Sequence, residues 1–502
     1  MIITGGGRRW PGRLGWSLVA LAVALVAAPA RASDRPNIIL VLADDLGLHE
    51  LGCYGQEKIR TPHIDRLAAE GMRFTRAYSA STVCAPARAS LMTGLHTGHS
   101  PIRGNKEGGG WGPEDPEGQN PLPAETVTLA EHLKLLGYAT GAFGKWGLGG
   151  PGSEGHPCSQ GFDHFYGYLC QRVAHNYYPT HLWRNHDVDV QHNNRYFAAH
   201  QRIESPLPSD EEYARRYAGG DYAPEEILAE AEGWIAGRRD KEEPFFVYYA
   251  SIIPHAALQA PGEFVEQYPR EWDTDPYLGE RGYLPTPRPR ATYAAMISFL
   301  DHAVGRLREA AEAAGKADNT LILVTSDNGT TYAGGVDRAF FRSLGDLRGF
   351  KTNLYEGGIR VPLVAWWPGH INAGASSDLV TQTIDLFPTV IEAAGGEAPA
   401  GIDALSLVPT LTGEGEQRAH DLLYWEFPEG RQQQAVLIEG RWKAIRPNLK
   451  KDLTLELYDL TLDPGESNNI AGEQPEIVAR AERAMREART PSALFPIPAL
   501  DR

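Results

Sequence analysis

From Pro36 onward the chain alternates two hydrophobic patterns. Short unbroken apolar runs, NIILVLA ending in Asp44-Asp45, YATGAF from Tyr138, FFVYYA from Phe245 and TLILVT ending in Ser326-Asp327, have the composition of strands buried on both faces. Between them lie stretches with helical signals. Thr61-Pro62 opens HIDRLAAEG, with Thr61 as N-cap, Pro62 in the first turn and Gly71 as C-cap. Thr128 and Glu131 have capping-box spacing before HLKLLG, and EEILAEAEGWIAG precedes the FFVYYA run. A long amphipathic helix places Tyr293, Met296, Ile297, Leu300, Val304 and Leu307 on one face and leads into TLILVT. This alternation predicts an α/β domain over residues 33–395, a large doubly wound, mostly parallel mixed sheet flanked by helices, with ligands at the carboxyl ends of the strands. After Gly396 the rhythm changes to QQQAVLI, RWKAIR and LELYDL, then a helix from Pro475 to about residue 488. Residues 396–502 are therefore expected to form a smaller C-terminal α+β subdomain with an antiparallel sheet. Residues 108–119 and much of 147–222 read as loops.

The first 32 residues do not share these patterns. They contain no acid, carry Arg8, Arg9 and Arg13, and continue into an apolar stretch shorter than the roughly 20 residues needed to span a bilayer. Ala30-Arg31-Ala32 supplies an AxA-type cleavage site, so residues 1–32 read as a signal peptide cleaved before Ser33. A secreted or periplasmic protein, with no stable membrane insertion after cleavage, is the expectation. Four cysteines in 502 residues are too few for a disulfide framework, although Cys158 and Cys170 can pair in an oxidising compartment. The formal charge of −16 lacks the basic footprint of a nucleic-acid binder, so no nucleic-acid partner is expected. An anionic substrate must then be met by a local positive pocket.

Candidate chemistry concentrates at the strand ends. Asp44 and Asp45 close one run while Asp327 and Asn328 close another, and two such ends side by side would gather hard oxygen ligands. With no His or Cys cluster among them, this donor set favours Ca²⁺ or Mg²⁺ over Zn²⁺. A single acidic pair is more often a helix cap. Cys84 opens CAPARASLMTG, where Pro86 suits a first helical turn and Arg88 lies one turn on, which puts the cysteine at a positive helix terminus beside a guanidinium. A lone cysteine and arginine at this spacing would otherwise be a core residue and a surface charge.

Taken together, ADDLG, CAPARASLMTG, GYATGAFGKWGLG, the IIPH segment, TSDNG, GFKTNLYEGGIRVP and ELYDLTLDPGESNNIA resemble, in order, the type I sulfatases of the alkaline phosphatase superfamily. The resemblance implies an arylsulfatase-type sulfuric ester hydrolase. It implies that Cys84 is converted to formylglycine by a maturation enzyme, and that the hydrated aldehyde attacks the sulfate ester. Metal ligands would fall on Asp44, Asp45, Asp327 and Asn328, with Ca²⁺ rather than Mg²⁺ as the implied ion. Arg88 would stabilise the hydrate, Lys145 and Lys351 would bind sulfate oxygens, and His255 would protonate the departing alcohol. One position departs from the family pattern: Gly147 stands where many members carry a histidine that contacts the formylglycine hydroxyl.

The implied substrate is a small-molecule aryl sulfate or a sulfated glycan. His175, His181 and Trp183, in an aromatic stretch, are candidate substrate contacts, though histidines beside aromatics are often structural. The rival readings are a phosphate or phosphonate ester hydrolase of the same superfamily and a non-catalytic protein that binds sulfated glycans. A GxGxxG match at Gly147, Gly149 and Gly152 is interrupted by Pro151, and the glycosylation sequon at Asn328 conflicts with a ligand role.

Overall fold

The computed structural model describes residues 1, 6–7, 35–107 and 117–501. The signal-peptide and cleavage-site readings, and residues 108–116 of the expected surface loop, lie outside the described residues. Among the described residues a ten-stranded sheet runs, in spatial order, Ala375–Ser377, Met72–Phe74, Leu363–Trp366, Thr320–Ser326, Asn37–Ala43, Phe245–Ala250, Ala139–Lys145, His164–Tyr168, His181–Arg184 and Asp187–Val190. The central five strands, Thr320–Ser326 through His164–Tyr168, are mutually parallel; antiparallel pairings extend both sides, and the outermost strand Ala375–Ser377 lies parallel to Met72–Phe74.

The unbroken apolar runs follow from burial on both faces. Ile39 and Val41 enter one core, with the helices Pro62–Glu70, Ala223–Ala236 and Pro289–Ala313. Ile38, Leu40 and Leu42 enter the other, against Cys84–Thr93, Leu129–Leu135 and Leu386–Ala393. The expected face of the long helix, from Tyr293 to Leu307, is buried throughout. The Thr128/Glu131 capping box forms as its spacing predicts. Thr61 stands at the N-cap position, but its hydroxyl accepts from Gly52 N at 2.8 Å and donates to Asp65, so it ties the helix to the preceding loop.

Residues 147–222 are more ordered than their composition suggests. HFYGY forms the central His164–Tyr168 strand, and residues 181–190 form a hairpin. The strand escapes an aliphatic-run criterion because it is aromatic, and the hairpin because it is largely exposed. The four cysteines are free: Cys158 Sγ faces Asn185 and Cys170 Sγ faces Gly118, so the two are not joined.

The C-terminal sheet has the order Leu422–Phe427, Gln433–Ile438, Trp442–Arg446, Glu456–Asp459, all antiparallel. One face takes the helix Pro475–Glu487 through Ala481 and Met485. The other, with Trp425, Leu437 and Tyr458, packs on Tyr78, Val83, Leu354 and Ile359 of the large body. That contact braces the segments carrying Cys84 and Lys351.

Candidate functional site

The parallel register sets Ala43 against Ser326, so Asp44-Asp45 and Asp327-Asn328 leave the sheet at adjacent C-terminal ends. Asp45 adopts a left-handed conformation (φ 69°), and its backbone N–H donates to Asp327 Oδ1 at 3.1 Å, which holds that strained turn against the neighbouring strand. Cys84 opens the helix Cys84–Thr93 after an extended Val83. All ten residues of this helix are buried, a position its small Ala and Ser side chains permit. Lys145 closes its strand, and His255 follows Phe245–Ala250 after a short turn.

These residues form one ion-pair network. Lys145 Nζ lies 2.6 Å from Asp44 Oδ2, and Lys351 Nζ lies 2.7 Å from Asp45 Oδ1 and 3.6 Å from Cys84 Sγ. Arg88, fully buried, donates from Nη2 to Asp327 Oδ2 at 2.9 Å and from Nη1 to the Lys145 carbonyl at 2.6 Å. Cys84 Sγ lies 3.3 Å from Asp44 Oδ1. His255 Nδ1 bonds the Ala256 carbonyl at 2.5 Å, which leaves Nε2 facing Asp45 Oδ2 at 3.8 Å. Thr352, a β-branched residue at φ 76°, fixes the backbone beside Lys351 through Thr352 N to Thr82 O at 3.1 Å.

The donor set suits a divalent cation. Three buried carboxylates converge, Asn328 Nδ2 donates to Asp45 Oδ1 at 2.7 Å, and the buried Asn328 Oδ1 has no hydrogen-bond partner. An orphaned buried carbonyl among carboxylates is the arrangement that a hard cation satisfies. Burial, reinforced by the Asp44 charge, pushes the Asp327 carboxyl up to about 7. Asp44 is driven upward by burial, but Lys145, His255, Arg88 and Lys351 outweigh this and hold it well below the carboxylate range. Burial beside the Asp44 charge thus disfavours the ionised form of Asp327, a penalty that a further positive charge at the site would offset.

Burial and the Asp44 charge push the Cys84 thiol up to about 12, so at neutral pH it is a protonated thiol and a poor nucleophile. Burial and Lys351 lower His255 to about 4. Burial disfavours the Lys351 ammonium, yet Asp45 and its neighbours hold the group well above its ordinary value.

Among the candidate substrate contacts, His175 reaches the cluster. Its ring stacks on His255 at 4.7 Å, and its Nδ1 lies 3.3 Å from His200 Nε2. His181 and Trp183 instead both bond Glu117. His200 and Tyr283, which join the rings around His255, lie in loops with no motif to signal them. Gly147 has a local explanation: at φ 76°, a Cβ there would stand 2.7 Å from Gln171 Cγ, so the neighbouring side chain occupies the space. Asn328 is fully buried, which removes the sequon as a glycosylation site.

Residues 36–396 match the family described as Sulfatase, and residues 348–490 match the C-terminal region of N-sulphoglucosamine sulphohydrolase. Human arylsulfatase A is 32% identical over 92% of this chain and 88% of its own length. The N-acetylgalactosamine-6-O-sulfatase of Bacteroides thetaiotaomicron is 29% identical over 91% of this chain and 94% of its own. Among solved structures, Ps i-CgsB in complex with k-i-k-neocarrahexaose superposes with a TM-score of 0.73 at 26% identity, covering 92% of this chain and 95% of that one.

Proposed function

The chain belongs to the sulfatase family and is a sulfuric ester hydrolase, and on that premise we propose that it removes sulfate from a sulfated glycan at the Cys84 cluster, with Ca²⁺ held by Asp44, Asp45, Asp327 and Asn328. The observation that carries the site assignment is the orphaned Asn328 Oδ1 among three buried carboxylates, one hydrogen bond from Cys84. The glycan reading draws support from the similarity to an N-acetylgalactosamine-6-O-sulfatase and to a structure holding a neocarrahexaose. A bound cation would withdraw charge from the sulfate oxygens. Formylglycine at position 84, installed by a maturation enzyme, would supply the hydroxyl that attacks sulfur and a second hydroxyl for release of sulfate.

The chain's own residues do the rest. Arg88, locked between Asp327 and the Lys145 carbonyl, orients position 84. Lys145 and Lys351 offer ammonium donors to the sulfate oxygens in a buried setting where each charge-assisted bond is strong. His255 holds its Nε2 toward Asp45 because Nδ1–H donates to the Ala256 carbonyl, and Nε2 carries a proton for the leaving oxygen only as the imidazolium. General acid help, typically worth about 10²- to 10⁴-fold, therefore requires the negative charge of the bound sulfate ester to raise a group that burial and Lys351 hold at about 4. His175, stacked on His255, faces the substrate side. Export to the periplasm or cell exterior completes the reading, and no helix among the described residues is long and apolar enough to cross a membrane.

The test pairs peptide mass with turnover. Natively matured protein should show thiol-to-aldehyde conversion on the Cys84 peptide and release sulfate from aryl and glycan sulfates, and Cys84→Ala should reduce turnover by on the order of 10⁴-fold or more with an unchanged circular dichroism spectrum. Turnover dominated by aryl phosphate, or full activity in Cys84→Ala, would overturn it.

A further inference from the structure

A row of side chains leads away from Lys351. Phe350 precedes it, and Lys351 N donates to Thr330 O at 3.0 Å, which clamps this segment to the one that carries Tyr332. The Phe350 ring lies 5.4 Å from that of Tyr332, which is 43% exposed, and the Arg338 guanidinium carbon sits 4.0 Å from the Phe350 centroid. Arg338 also lines a cavity of ≈ 670 Å³ with Trp272, Tyr277, Arg281, Arg290 and Arg342. The shelf therefore connects a residue of the proposed sulfate site to an arginine-rich hollow.

The hollow is lined by those arginines and by the acids Asp273, Asp275 and Asp337, and its charges are unevenly matched. Arg290 is spoken for by Asp337, at 2.8 and 2.9 Å, and Asp337 also accepts from Phe340 N. Asp273 accepts from the backbone of Arg290 and Ala291. Glu50, which also acts on Arg338, is committed to Gly47, Tyr293 and Thr330. Arg281 donates to the Val336 carbonyl at 3.3 Å, and Arg338 Nη1 is buried with no partner. Burial and the Arg281 charge act together against the Arg338 cation. Two like charges held beside each other, one with a buried N–H unmet, are stabilised when an anion enters.

We propose that Arg338 and Arg281, with the Tyr332–Phe350 shelf, form a subsite for a second anionic group, sulfate or carboxylate, on a sugar next to the one being desulfated. The shelf takes the apolar face of a pyranose ring while the guanidinium fork fixes the anion. The inference rests on the sulfated-glycan reading and gives the substrate class: glycans carrying more than one negative charge.

The test measures kcat/KM for 4-nitrophenyl sulfate, a singly anionic disaccharide whose one charge is a sulfate ester on N-acetylgalactosamine, and matched disaccharides bearing a second sulfate or a uronate carboxylate. Arg338→Gln and Arg281→Gln should each lower the ratio of kcat/KM for a doubly anionic to the singly anionic disaccharide by about 10- to 100-fold, mainly through KM. Arg338→Lys should recover part of it. Whichever anion shows the loss is the one recognised. An unchanged ratio for both doubly anionic sugars overturns the subsite. If wild-type protein released no sulfate from any substrate, the hydrolase reading would fail instead, and calorimetric binding of the same disaccharides to Cys84→Ala protein, with and without Arg338→Gln, would still decide the subsite.

Discussion

Two buried charge clusters sit on either side of the segment 351–356, and they differ in what they leave unsatisfied. Around Cys84, three carboxylates face Arg88, Lys145 and Lys351, one amide oxygen lacks any partner, and Asp327 is pushed up to about 7. At the contact between the large body and the C-terminal sheet, Lys443 lies 2.9 Å from Glu356 and 3.3 Å from Glu466. Tyr78 and Arg360 fill further Glu356 positions, and Glu356 N donates to Glu466 at 2.7 Å. Lys443, Glu356 and Glu466 are fully buried and Arg360 partly so, and no acceptor is orphaned among their side chains, the one unmet atom being the donor Arg360 Nε. Burial of charge is common to both. An excess of hard oxygen ligands and an open acceptor beside a reactive residue mark only the first as a place for something to bind.

That contrast can be broken experimentally. The largest effect expected is on the closed cluster: Lys443→Met strands two carboxylates in the interior and should cost about 3–5 kcal/mol in denaturant unfolding. The surviving folded protein should keep its sulfatase activity per molecule. A loss below 1 kcal/mol would show that water already reaches Glu356 and Glu466.

The open cluster should answer to an ion. Adding Ca²⁺ to about 100 times its Kd should stabilise the wild-type protein by about 2.7 kcal/mol. Asp327→Ala should remove most of this response, whereas Glu466→Gln should leave it whole. An equal response in all three proteins would place the ion elsewhere.

The smallest effect concerns pH. Burial, with the Glu356 charge, raises Glu466 to about 7 against Lys443, which pulls it down. A carboxyl with a raised folded pKa binds its proton more tightly when folded, so its contribution is complete below its ordinary value of 4.5 and is lost as pH rises toward about 7. Glu356 is shifted the other way, so its contribution is complete above 4.5 and is lost only as pH falls below that value, and of this pair Glu466 alone titrates in the upper window. Glu466→Gln should flatten stability across that window by at most about 1.4 kcal/mol per pH unit. Denaturant midpoints at several pH values check it, and parallel curves for both proteins would refute the assignment.

Much of the scaffold was legible because the central strands bury both faces, which turns each into an unbroken apolar run. The short strands Met72–Phe74, Leu363–Trp366 and Ala375–Ser377 gave no such signal, since three or four residues cannot establish a period. In the site, the paired acids at Asp44-Asp45 and Asp327-Asn328 could be read from the strand-end rule. Lys145, His255 and Lys351 came from resemblance, because a lysine or histidine in a loop carries no local mark of what it will face. His200, Tyr283 and Gln171 were out of reach for the same reason.

The sequence by itself determined the alternation of buried strands and helices, the oxygen-rich strand ends and the cysteine at a helix start. Those are properties of neighbouring residues, set by side-chain period and capping over a few positions. Only the tertiary structure decided which strand ends stand side by side, that Gln171 fills the space beside Gly147, and which buried charges close on one another. These depend on contacts between segments up to hundreds of residues apart, where register and packing, rather than local pattern, fix the distances.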